Sequence, residues 1–212
     1  MNIKSHEFRL SKFDISKMRD DSNVLIIGKR ETGKTYLTND LLNNYSIPEG
    51  TIISAIPDSS YSKTVPQAST HTEYTPSVIT DLVKHQRKFP EKKRREFLVL
   101  DNCFYPAFEL HPEFESCYLN NRALRLSIII TESYAVKMNP RMRTNTDYIF
   151  ILRENVLSNR RHVYDAYAGM FPTFEQFCEV LDQCTVDYEC MVIDNTSRSN
   201  RIEDCVFWYK AL

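Results

Sequence analysis

No apolar run in this chain of 212 residues approaches the roughly 20 that a helix needs to span a bilayer, so no membrane insertion is expected. Met1 to Leu10 is charged and lacks the apolar stretch that directs export, so no export signal is expected. The six cysteines, Cys103, Cys117, Cys178, Cys184, Cys190 and Cys205, include no Cys-x-x-Cys pair and no histidine at ligand spacing beside them. In a chain of ordinary size that pattern points to reduced, mostly buried thiols rather than to a disulfide framework or a zinc site. Net charge is nearly absent too: 27 Lys and Arg stand against 28 Asp and Glu, which leaves -1. A surface that is basic all over is excluded, and any contact with nucleic acid has to be local or shared by several subunits around a channel. Internal repeats and sharp shifts of composition are also missing, so residues 1–212 are expected to form one domain with a short N-terminal lead and a C-terminal strand pair.

Against these absences stand several short, strongly apolar runs. Val24-Leu25-Ile26-Ile27 is a continuous one, the pattern of a central strand covered on both faces. Lys34 to Leu42 follows as a helix, stopped before Tyr45-Ser46-Ile47-Pro48-Glu49-Gly50, where Pro and Gly mark a turn. Thr51 to Ile56 is a short strand candidate ended by Pro57, and the Ser-, Thr- and Pro-rich stretch from Asp58 to Pro76 is expected to be an exposed loop. Ser77 to His85 has helical spacing, with Val78, Ile79, Leu82 and Val83 inward. Further strands are expected at Phe97 to Leu100, Leu126 to Thr131 and Tyr148 to Leu152, with a pair at Cys190 to Asp194 and Val206 to Tyr209 around the polar turn Asn195 to Asn200. Strands alternating with helices predict an α/β fold with a largely parallel sheet.

Gly28-Lys29-Arg30-Glu31-Thr32-Gly33-Lys34-Thr35 fits Gly-x-x-x-x-Gly-Lys-Ser/Thr at every fixed position. An ordinary glycine-containing turn can match by accident. Here the segment leaves a buried strand and opens a helix, so its amides and the helix N-terminus can surround phosphate oxygens. The glycines permit close approach of a ligand, Lys34 is placed for the β and γ phosphates of a nucleotide such as ATP, and Thr35 is the expected Mg2+ ligand.

Asp101 comes directly after Phe97-Leu98-Val99-Leu100. An acid at the end of a buried parallel strand faces the same crevice as the phosphate loop and can hold water on magnesium; the alternative is an aspartate that only caps a turn. Its position 67 residues after Lys34 leaves room for an intervening strand and helix, which points to a P-loop NTPase of the additional-strand (RecA-like) class. Many ATPases of that class carry a carboxylate next, to activate the attacking water. Here the residue is Asn102, whose amide can orient water but is not a useful base at neutral pH. Glu132, beyond Leu126 to Ile130, is the candidate substitute by its strand-end position, the alternative being a structurally paired or solvated acid.

The sequence also resembles the genome-packaging ATPases of large nucleocytoplasmic DNA viruses, a branch of the HerA and FtsK superfamily, from about Val24 to Leu212. The resemblance runs through GKRETGKT at 28–35, FLVLDNC at 97–103, RTNTDYIFILRE at 143–154, YAGMFPTFEQFCEVLDQCTVDYECMVIDNT at 167–196 and SNRIEDCVFWYKA at 199–211. It implies an ATP-driven motor, a homo-oligomeric ring that moves double-stranded viral DNA into a capsid, with capsid or assembly proteins as partners and virion assembly sites in the infected host cytoplasm as its location. Roles would carry to Lys34 and Thr35 for phosphate and magnesium, to Asp101 for magnesium-bound water, and to Arg143 and Asn145. Two positions depart from the pattern: Asn102 replaces the second acid, and Ser133 stands where a glutamine-like γ-phosphate sensor is expected.

In such a ring an arginine of one subunit can reach the phosphate held by its neighbour. Arg141, Arg143, Arg153, Arg160 and Arg161 are the candidates, with Arg143 and the Arg160-Arg161 pair foremost and exposed surface charge as the alternative. Lys84, Arg87, Lys88, Lys92, Lys93, Arg94 and Arg95 put seven basic residues in a span of 12, able to touch DNA phosphates without reading bases, to dock a protein, or to form a solvated flank. Phe171, Phe174, Phe177, Val180 and Leu181, with Phe207, Trp208 and Tyr209, are expected to pack a core or an interface. No acceptor or lid motif of a nucleoside kinase accompanies the loop, and the Asp-x-x-Gly and Asn-Lys-x-Asp elements of a GTPase are missing. The reading of another class that stays open is an ATP-binding regulatory or assembly module with weak or absent hydrolysis.

Overall fold

Four consecutive apolar residues suit a strand only if both its faces are covered, because alternate side chains leave opposite sides of a sheet. In the computed structural model, which describes residues 10–45, 47, 49–55, 59–65, 68–88, 95–103, 111–134 and 138–212, Val24 to Ile27 lie in β1 (Asn23–Ile27), buried along its whole length. β1 sits inside an eight-stranded sheet with β2 (Gly50–Ser54), β3 (Ser69–His71), β4 (Glu96–Asp101), β5 (Leu126–Glu132), β6 (Tyr148–Ile151), β7 (Glu189–Asp194) and β8 (Val206–Lys210), in the order β3-β2-β4-β5-β1-β6-β7-β8. The first six pair in parallel, and β7 and β8 extend the sheet antiparallel. β5 is inserted between β1 and β4 as the additional strand of this class; the Lys34 to Asp101 interval itself holds β2, β3 and the helix that leads from β3 to β4, while β5 follows Asp101 in the chain.

Two cores follow from the alternation. Leu25, Leu98, Leu100, Ile128, Ile130 and Ile149 face one side, where α3 (Pro76–Arg87), α4 (Pro112–Leu119), α6 (Leu157–Tyr167) and α7 (Phe174–Cys184) contribute Ile79, Phe114, Val163 and Phe177. Val24, Ile26, Val99, Ile129 and Phe150 face the other, covered by Leu37, Leu41 and Leu42 of α1 (Lys34–Tyr45). Short helices α5 (Pro140–Thr144) and α8 (Ile202–Cys205) precede β6 and β8. Phe13 ties the N-terminal lead to the second core, its ring 5.7 Å from Tyr148 and 5.5 Å from Phe207, while its amide donates to the Trp208 carbonyl at 2.8 Å. That contact covers part of the β8 edge, which would otherwise offer unpaired backbone groups.

The expected loop from Asp58 to Pro76 is the main departure. Asp58 itself, with Ile56 and Pro57, lies outside the described residues, but α2 (Ser59–Thr64) and β3 follow. Tyr61, buried among the second core, anchors this polar stretch, and β3 is short and exposed as edge strands are. The connection after β1 runs toward β2 while the one after β5 passes over β1 to β6, so the crevice at the carboxyl ends of β1 and β5 is the fold's ligand-binding position.

Candidate functional site

The phosphate loop hangs from the carboxyl end of β1. The Gly28 amide donates to the Glu132 carbonyl at 2.9 Å and the Leu152 amide to the Ile27 carbonyl at 2.8 Å, so β5 and β6 hold its first turn from both sides. A side chain at Gly28 would collide with Thr32 Oγ1 at 2.6 Å and with Leu152 Cβ at 2.8 Å. Gly33 has φ 103°, a left-handed backbone that a Cβ disfavours, and Glu31 at the apex has φ 65°. Thr32 Oγ1 closes the loop on the Lys29 carbonyl at 2.7 Å. The Lys34 ammonium donates to the carbonyls of Gly28 at 2.6 Å and Lys29 at 3.1 Å, which sets it across the concave side of the loop. Burial holds Lys34 below the ordinary lysine range; Asp101 and Glu132 oppose this, and Arg30 adds to it.

Asp101 ends β4 and faces the same cleft. Its Oδ1 accepts from Thr131 Oγ1 at 2.7 Å, and its Oδ2 accepts from Tyr61 Oη at 3.1 Å and Ser54 Oγ at 3.4 Å. Burial pushes the Tyr61 phenol far above its ordinary range, with the Asp101 charge adding, so Tyr61 is held as a donor. Thr131 also accepts from the Asn102 amide at 3.1 Å. Asn102 has φ 51°, and its Oδ1 accepts from Ser133 Oγ at 2.7 Å. The two positions that depart from the family pattern are therefore bonded to each other, and neither Tyr61 nor Thr131 was legible as a partner of Asp101. Their contacts depend on the order of β2, β4 and β5, which no local pattern states.

The cleft has a volume of about 770 Å3 and brings together Lys34, Thr35, Asp101, Asn102 and Ser133 with Arg30, Glu31 and Gly33 of the loop. Glu132 is buried beside the loop but does not line the cleft. The alternation of β5 puts it on the side of Ile128 and Ile130, opposite Thr131 and Asp101. α5 leads into the amino end of β6, parallel to β1, so Arg143 and Asn145 stand at the end of the sheet opposite the phosphate loop of their own chain, out of reach of a nucleotide bound there. A residue just before a parallel strand has to lie there. Arg153, just beyond the carboxyl end of β6, is at the loop's end and borders a groove with Glu31, Thr32 and Tyr188. Arg160 is buried and committed within its own subunit, its guanidinium spanning both oxygens of Asp182 at 3.0 and 2.7 Å, while Arg161 stacks on Phe174 at 3.8 Å. Lys84, Arg87, Lys88 and Arg95 are exposed at the amino end of β4, away from the cleft; Lys92, Lys93 and Arg94 lie outside the described residues. Burial pushes the thiols of Cys103, Cys117 and Cys184 up to about 12, and all six cysteines are free.

A complete phosphate loop after β1, an aspartate ending β4 and one strand between them define a P-loop NTPase of the additional-strand class. No protein-family model matches the chain. It is 31% identical over 222 residues to protein L437 of Acanthamoeba polyphaga mimivirus, covering 97% of this chain and 78% of that one. It is 32% identical over 213 residues to protein 075L of Invertebrate iridescent virus 6, covering 92% and 83%. Its fold matches the genome packaging NTPase B204 from Sulfolobus turreted icosahedral virus 2 in complex with AMPPCP, with a TM-score of 0.67 at 15% identity over 92% of this chain and 100% of that one. The chain belongs to the family of these large DNA virus proteins, and it shares its fold with the genome packaging NTPase B204.

Proposed function

We propose that this chain is an ATP-driven motor that moves double-stranded viral DNA into a capsid, working as a homo-oligomeric ring with capsid or assembly proteins at virion assembly sites in the infected host cytoplasm. The observation that carries the reading is the single cleft in which a complete phosphate loop meets a strand-end aspartate across an additional strand. Kinship with proteins of large DNA viruses, the resemblance of the sequence motifs to genome-packaging ATPases and the fold of B204, a DNA-packaging ATPase also seen with AMPPCP, support the nucleotide and the DNA.

In this reading the loop amides and the Lys34 ammonium bind the β and γ phosphates of ATP, and Lys34 leaves its loop carbonyls to do so. The donor set suits Mg2+, a hard cation that keeps most of its waters: Thr35 offers a hydroxyl and Asp101 a carboxylate held by three hydroxyl donors. Bound there, magnesium would neutralise charge developing on the phosphates. Asn102 orients the attacking water, with its carbonyl fixed by Ser133; the proton is accepted elsewhere, because an amide cannot take it.

Lys34→Ala tests the site. The variant should fold, since among the described residues Lys34 Nζ bonds only loop carbonyls, and should lose at least about 10²-fold in magnesium-dependent ATP turnover. Turnover like that of the parent chain would sink the reading. The Asn102–Ser133 bond favours one second reading, an ATP-binding module with little hydrolysis. Tight ATP binding without turnover, with and without duplex DNA and in every assembly seen by mass measurement, would select it.

A further inference from the structure

The same cleft has a second end. Lys34, Thr35, Asp101 and Ser133 occupy the side of β4 and β5, so a nucleotide seated on the loop must carry its nucleoside the other way, over β6 toward β7 and β8. There the lining changes to Tyr36, Leu152, Tyr188, Cys190, Lys210 and Ala211. Tyr36 and Tyr188 are 61% and 71% exposed, and neither ring has an aromatic partner among the described residues. Exposed tyrosines are ordinary; the backbone that carries Tyr188 is not. Asp187 and Tyr188 adopt φ 51° and 62° in succession, and a left-handed backbone at a bulky residue costs free energy that the rest of the fold must offset. This corner sets the Tyr188 ring beside the loop, where its Cδ1 lies 3.9 Å from the position a Cβ on Gly33 would take. Lys210 holds the corner by an ion pair to Asp187 Oδ2 at 2.5 Å, which also engages its ammonium.

We infer that Tyr188, with Tyr36, grips the base of a purine nucleoside triphosphate by stacking, and that the site discriminates little between ATP and GTP. The inference rests on the nucleotide reading of the cleft. Leu152, Cys190 and Ala211 offer the base apolar contact, and Lys210 is engaged by Asp187, so the described residues here supply ring faces more than groups to read a base edge. Stacking accepts either purine because each has a π face.

The test is equilibrium binding of ATP, GTP and inorganic tripolyphosphate to the full chain and to Tyr188→Ala and Tyr188→Phe. Tyr188→Ala should weaken ATP and GTP about tenfold alike, Tyr188→Phe should restore both, and tripolyphosphate should bind all three proteins equally. Unchanged ATP affinity in Tyr188→Ala overturns the inference while leaving the nucleotide reading intact. Equal weakening of tripolyphosphate overturns it too, since Tyr188 would then only shape the loop. A preference of more than about tenfold between ATP and GTP in the parent chain, beyond what stacking supplies, removes the purine tolerance. Failure of the parent chain to bind any of the three strikes the nucleotide reading itself.

Discussion

Asn102 sits where the backbone turns out of β4 with φ 51°, and Asn and Asp adopt that left-handed conformation more readily than other residues with a Cβ. The backbone thus accepts an aspartate as well as the asparagine present. Ser133 Oγ already donates to Asn102 Oδ1, a bond that a carboxylate oxygen would accept equally. Asn102→Asp should therefore fold normally and add a base beside the cleft. If the missing carboxylate limits hydrolysis, ATP turnover rises by about 10²-fold; unchanged turnover, measured with duplex DNA present, would mean that the proton already has another acceptor. Glu132 is poorly arranged for that part, since it stays buried on the opposite side of β5 from Asp101. Most of this site was legible because the motif is local: eight consecutive residues specify the loop, and one strand end specifies Asp101. Tyr61 was not, because it reaches Asp101 from a Ser- and Thr-rich segment through packing set by the sheet order.

Every strand except the polar edge strand β3 was legible in the sequence because continuous apolar runs have few alternatives, and the C-terminal pair β7 and β8 lies where its two runs predict. Helix α6 carries no such signal. Its inward positions are Arg160, Val163 and Tyr167, so an arginine occupies a place where periodicity calls for an apolar residue. Arg160 is tolerated there because Asp182 on α7 takes its guanidinium at two oxygens and the Glu154 carbonyl takes Nε at 2.7 Å. The Arg160 bond is also the main cause that holds the Asp182 carboxyl below its ordinary value. A carboxylate lowered in the folded state contributes stability above its unfolded pKa, and that contribution is lost as pH falls through the folded value. Arg160→Ala should cost about 1–2 kcal/mol near pH 7 by chemical denaturation, less than a fully buried pair because Asp182 is half-exposed, and part of that difference should vanish in acid. ATP binding should not change. A variant with parental stability and impaired hydrolysis only in mixed assemblies would instead return Arg160 to the trans-acting candidates.

The whole molecule separates its two proposed contacts along the strands. The nucleotide cleft lies at the carboxyl ends of β1, β4 and β5, and the exposed Lys84, Arg87, Lys88 and Arg95 lie at the amino end of β4, about 17 Å away along its six residues. This distance is beyond a Debye length at physiological salt, so charge alone couples the two ends weakly. Arg95 pairs with Asp20 and Lys84 with Asp81 at 3.7 Å, which leaves a local basic flank in keeping with a net charge of -1. If DNA phosphates meet this flank, the signal to the cleft must pass through the rigid sheet, and the ATP site should work without it. Replacing Arg87, Lys88 and Arg95 by Gln should leave DNA-free ATP binding unchanged, weaken duplex binding whatever its sequence, and reduce the slope of log affinity against log salt by up to about 3. Stimulation of ATP turnover by duplex DNA should fall with it. A triple variant that keeps both the parental salt slope and the stimulation would move the DNA contact to another face of the ring and leave the flank to protein docking or to solvent.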